Sequence, residues 1–107
     1  MARSMFYVYL LASKSYRMLY VGVTSDLPGR IWQHKTKALG GFTARYGVDW
    51  LVWFEVHETA EAAIRREKQI KEWKREWKIN LIERDNRPWI DLYPGLSHPD
   101  DNRDAAR

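Results

Sequence analysis

The chain contains no cysteine, which excludes a disulfide framework and a thiolate-ligated zinc site and fits a reducing compartment. No apolar run approaches the roughly 20 residues that a membrane span requires. The N-terminal stretch Met5–Ala12 carries two tyrosines, alternates like a strand and is followed by no small-residue cleavage site, so it does not read as a signal peptide. The chain is therefore expected to be cytoplasmic, with no membrane partner. From Ser97 onward no apolar residue is larger than alanine. Residues 97–107 are expected to form a disordered polar tail, and 1–96 a single domain.

What the chain does have is aromatic bulk and positive charge. Its 107 residues include six tryptophans and six tyrosines and carry a net charge of +4. The tail holds three aspartates against two arginines, so the remainder carries +5. A basic domain favours a polyanionic partner.

Met5–Ala12 is rich in aromatic and β-branched residues and predicts a strand buried on both faces. The polar Ser13–Arg17 and apolar Met18–Val23 then complete a hairpin. Asp26 is a suitable N-cap for a helix entered at Leu27–Pro28, and Gly40–Gly41 is the expected stop. Phe42–Gly47 reads as a short helical turn capped by Gly47, and Trp50–Val56 as a third strand. Thr59 caps a helix from Ala60 through at least Trp73, and a second helical stretch follows from Lys74 to Glu83. One bent helix or two would satisfy that pattern. Trp89, Ile90, Leu92 and Tyr93 predict an ordered extension, because so much apolar surface is rarely left in water. The order β-β-α-β-α-α defines an α+β domain, a three-stranded antiparallel sheet flanked by helices.

Chemistry gathers at the second strand and the helix after it. Tyr20 sits on the strand, while Arg30 and His34, four apart, share one helical face. On the later helix Ala60, Ala63, Ile64, Glu67, Ile70 and Lys71 form one stripe. Glu67 is thus a carboxylate on an inward face and needs a partner there. An ion pair with Lys71 meets that need; so does a hard divalent cation held by one carboxylate, waters and substrate oxygens.

Together these residues resemble the GIY-YIG nuclease superfamily, specifically its compact single-domain bacterial members. Tyr7-Val8-Tyr9 and Tyr20-Val21-Gly22 are similar to the two halves of its signature, on the two hairpin strands. Arg30, ten residues after Tyr20, matches the family arginine, His34 a histidine or tyrosine one turn later, and Glu67 the metal-binding glutamate. Asn86 with Trp89-Ile90-Asp91-Leu92 resembles the ending of the compact members, with Arg87 inserted before Pro88. The resemblance spans residues 5–93.

The resemblance implies a DNA endonuclease using Mg²⁺ or Mn²⁺, serving repair or recombination. Its catalytic set would be Tyr9, Tyr20, Arg30, His34 and Glu67, with Glu67 on the metal. Arg30 would hold phosphate oxygens, and either Tyr9 or Tyr20 would take the proton of the attacking water. Lys35, Lys68, Lys71, Lys74 and Lys78 are candidates for nucleic-acid contact, and Trp73 and Trp77 lie among them. Tyr7, Trp32 and His57 read as packing or structural residues. Substrate specificity would come from a protein partner or self-association, since no separate DNA-binding domain is present. The competing reading is a nucleic-acid-binding or adaptor module that keeps the fold with little or no cleavage.

Overall fold

A computed structural model describes residues 4–96; the expected tail from Ser97 lies outside them. Strand β1 (Phe6–Ser13) is central, with β2 (Leu19–Thr24) and β3 (Val48–His57) antiparallel on either side. Helices α1 (Leu27–Lys35) and α2 (Gly41–Tyr46) connect β2 to β3, and α3 (Ala60–Glu72) and α4 (Arg75–Asp85) follow. A single 3-10 turn, Tyr93–Gly95, ends the described chain.

Alternation along β1 builds two cores. Val8, Leu10 and Ala12 pack with Ala63, Ile70, Leu81 and Ile82 of α3 and α4. Tyr9 and Leu11 turn the other way, onto Leu27 and Ile31 of α1 and onto Val48 and Leu51. Both faces of β1 are therefore buried, as its unbroken apolar sequence requires. The hairpin is closed by Ser13, whose Oγ accepts from the amides of Arg17 and Met18, each at 3.2 Å.

Helix α1 starts as the sequence predicts: Asp26 Oδ1 accepts from the Gly29 amide at 3.2 Å, with Pro28 in the first turn. Its end differs. The helix stops at Lys35, with Lys37 at φ 63° and the amides of Lys37 and Ala38 bonded back to the carbonyls of His34 and Gln33. That is a Schellman motif with lysine in the left-handed position. Glycine is the usual signal there, which is why the sequence points to a stop at Gly40–Gly41 instead. Those glycines open α2, with Gly40 at φ 66° and ψ −161°, a backbone conformation that belongs essentially to glycine. Gly47 caps α2 from the left-handed region, as expected. Between α3 and α4 the backbone is extended at Trp73 and Lys74, so the last helical region is two helices.

The C-terminal extension is pinned by two polar side chains. Asn86, 5% exposed, donates from Nδ2 to the Val52 and Ile90 carbonyls at 3.0 and 2.8 Å, and its Oδ1 accepts from the Ile90 amide at 3.2 Å. Asp91 Oδ1 accepts from the amides of Leu51 (3.0 Å) and Tyr93 (3.1 Å), while its Oδ2 meets Lys35 Nζ at 2.6 Å. Lys35 also donates to the Asp49 carbonyl at 2.9 Å. Lys35, expected at a nucleic-acid surface, is thus tied into the fold, because the extension brings a carboxylate to it.

Removing the Asn86 amide strands a buried carbonyl on β3 and two polar backbone groups at Ile90. Asn86→Ala should lower the unfolding free energy by about 2–4 kcal/mol, read by urea denaturation; a loss below about 0.5 kcal/mol would contradict the role of Asn86 as a staple.

Candidate active site

Tyr9 and Gly22 are directly opposed across the hairpin. A Cβ at residue 22 would overlap the Tyr9 ring and its oxygen, so glycine lets the ring lie flat across β2. Its hydroxyl thereby reaches His34 Nε2 at 2.9 Å. Tyr20, diagonal to Tyr9 on the same face of the hairpin, sets its ring 6.3 Å from that of Tyr9 and 5.5 Å from the His34 imidazole.

His34 is 3% exposed and its other nitrogen, Nδ1, lies 3.0 Å from Thr43 Oγ1 on α2. Both ring nitrogens are therefore satisfied inside the protein. Burial first, and the Arg30 guanidinium second, lower the His34 pKa, which keeps the imidazole neutral at pH 7. Tyr9, 1% exposed, has its phenol pKa raised above the ordinary value, chiefly by burial and then by Tyr20. Arg30 opposes that rise through its charge and a hydrogen bond, while the Glu67 carboxylate adds to it.

These partners define a direction. A phenol is a better hydrogen-bond donor than the aliphatic hydroxyl of Thr43, so the Tyr9 proton turns to His34 Nε2. A neutral imidazole that accepts at Nε2 carries its proton on Nδ1, and Nδ1–H then donates to Thr43. Tyr9, His34 and Thr43 form one chain of hydrogen bonds running the same way, which polarise one another.

Glu67 stands on α3, which packs on β1 and on the edge strand β2. Its residue is 8% exposed, and its Oε2 holds the Lys71 ammonium at 2.6 Å. That hydrogen bond, more than any other influence, raises the Lys71 pKa. The ion pair expected on the stripe is therefore formed. Lys71 is half exposed, so it can swing away without disturbing the core.

The residues singled out from the sequence fall into two groups. Tyr9, Tyr20, Arg30, His34 and Glu67 influence one another electrostatically or by ring contact around strand β2. Of the lysines, Lys68 and Lys74 are exposed, and Lys78 Nζ donates to the Lys71 carbonyl at 3.4 Å. The Trp73 and Trp77 rings meet edge to face at 6.1 Å, with Arg66 over Trp73. Trp32, expected to pack, is 55% exposed, because it lies about 100° round α1 from the buried Ile31. Thr43 is not legible from the sequence: nothing in Gly-Gly-Phe-Thr-Ala-Arg marks it, and its partner lies on another helix.

Residues 5–80 match the model of the GIY-YIG catalytic domain. The chain belongs to the GIY-YIG family. That GIY-YIG domain places it within a family of nucleases. The chain is similar to a UPF0213 protein of Haloquadratum walsbyi, 36% identical over 77 residues that cover 72% of this chain and 85% of the relative. It is also similar to a UPF0213 protein of Clostridium perfringens, 38% identical over 76 residues, 71% of this chain and 81% of the relative. Its fold resembles the solution NMR structure of a UPF0213 protein from Bacillus halodurans, with TM-score 0.53 and 28% identity over 82% of this chain and 93% of that one.

GIY-YIG nucleases generally depend on a divalent metal. Among the described residues no group of three or more histidine, cysteine, aspartate or glutamate side chains could enclose one. The donor set fits a different kind of site: one hard carboxylate, already holding a cation in Lys71, with further ligands left to water and substrate.

The hydrogen-bond chain can be checked by the ring nitrogen shifts of His34 in ¹⁵N NMR. Wild type and Thr43→Ser should carry the proton on Nδ1. Thr43→Val, which removes the acceptor, should move it to Nε2. A wild-type imidazole that carries its proton on Nε2 would contradict the assigned direction.

Proposed function

We propose that this chain is a metal-dependent endonuclease that hydrolyses phosphodiester bonds in DNA. The observation that carries this reading is an inward carboxylate, Glu67, on the helix packed against β2, with Tyr9, His34 and Tyr20 joined by hydrogen bond and ring contact and the Arg30 guanidinium close enough to shift His34. A purely structural domain has no use for that combination.

Glu67 would hold Mg²⁺ or Mn²⁺, which supplies Lewis-acid charge to the phosphate and the departing oxygen. Arg30 presents a planar fork of donors suited to non-bridging phosphate oxygens. Lys71, released from Glu67 by a competing cation, becomes a second positive charge for the backbone. Tyr20 orients the attacking water and would take its proton. Tyr9 is less suited to accept that proton, because its oxygen is buried and bonded to His34, and burial opposes its ionisation. The work of Tyr9 is to hold His34 in place. The exposed Lys68 and Lys74 extend the positive surface along α3 and the start of α4, where they would contact the phosphate backbone.

The test is cleavage of labelled linear, nicked, flapped and four-way DNA at low salt with Mg²⁺ or Mn²⁺. Wild type should cut at least one of these. Glu67→Gln, Arg30→Ala and Tyr20→Phe should each lose about 100-fold or more in rate while keeping wild-type circular dichroism. Glu67→Gln cutting as fast as wild type would overturn the metal-site assignment. Wild type that binds but never cuts would replace the enzyme with an adaptor, for which the Glu67–Lys71 ion pair is a sufficient role for the carboxylate.

A further inference from the structure

Arg30 forms one wall of an open polar groove of 370 Å³ at the β2–α1 corner, which Trp32, Gln33 and Ser25 also line. The volume suits a single nucleotide unit better than a base pair. Two other members of the groove are already engaged: the Asp26 carboxylate caps α1, and the Thr24 hydroxyl bonds the Asp26 backbone. The Gln33 amide and Ser25 hydroxyl, by contrast, have no hydrogen-bond partner among the described residues and are open to a ligand.

Trp32 rims this groove with 55% of its surface exposed and no aromatic partner among the described residues. A lone exposed tryptophan needs no explanation in itself. Here it stands two residues from the arginine that would grip the phosphate, at the edge of a cavity with free donors and acceptors. A flat aromatic face, an amide and a guanidinium around one nucleotide-sized space are the three elements that recognise base, base edge and phosphate respectively.

We propose that this groove is a nucleotide subsite in which Trp32 stacks on one unpaired base of the bound strand. Gln33 faces the edge of that base, and Arg30 holds the phosphate beside it. The site rests on the nucleic-acid reading above and deepens it, for it gives this domain a grip on its substrate. Stacking on an aromatic face is indifferent to base identity, so any preference at this position comes from Gln33.

Binding can be measured without cleavage, in chelator and at low salt, with a fluorescently labelled oligothymidylate and an abasic oligomer of equal length. Wild type should prefer the oligothymidylate. Trp32→Ala should bind it about tenfold more weakly, and Trp32→Phe within about threefold of wild type. All three should bind the abasic oligomer alike, because only phosphate contacts remain. Equal losses on both oligomers, no loss on either, or no binding of either by wild type would overturn the subsite. Base-dependent loss at Trp32 with no cleavage by wild type would keep the subsite and remove only the hydrolytic reading.

Discussion

The ring of Tyr9 lies across β2 only because residue 22 has no side chain, and the geometry of the site follows from that close approach. With the ring flat, its oxygen arrives beneath α1 at His34 instead of at solvent. His34 in turn ties α1 to α2 through Thr43. Sheet, first helix and second helix are thereby locked around one hydrogen-bonded chain, in which a displacement at any member is felt by the others. A glycine on a strand, ordinarily a weakness, here sets the position of an imidazole on another element.

Charge is arranged in the same way on both sides of the sheet. Each inward carboxylate has a lysine: Glu67 has Lys71 and Asp91 has Lys35, both at 2.6 Å. The two pairs differ in what surrounds the ammonium. Lys35 has a carbonyl and the Tyr93 ring as further partners and is held in place. Lys71 is half exposed, so it can leave once another cation takes its place on the buried Glu67. One pair belongs to the fold, whereas the other, in the proposed enzyme, keeps Glu67 paired until a metal ion replaces the lysine.

Much of this is legible in the sequence, and the exceptions have physical causes. Strands and caps are readable because apolar alternation, Asp26 and Thr59 act locally. The residues of the proposed site stand out through their spacing, Tyr20 to Arg30 to His34, and through one carboxylate out of place on an apolar stripe. The end of α1 escapes a reading of the sequence because lysine takes the left-handed position that glycine usually fills. Lys35 and Thr43 escape it because their partners, Asp91 and His34, come from distant parts of the chain. Trp32 reads as packing because large aromatics usually pack, and a single sequence does not reveal which flank of a short helix stays open.

The most direct measurement is a Mn²⁺ titration followed by the paramagnetic broadening of backbone NMR resonances. The account predicts that broadening begins at Glu67–Lys71 and Tyr20, then spreads to Tyr9 and Arg30, and that Glu67→Gln abolishes it. Broadening centred instead on the aspartates beyond Ser97, or unchanged in Glu67→Gln, would contradict a cation site at Glu67 and with it the active site as assigned.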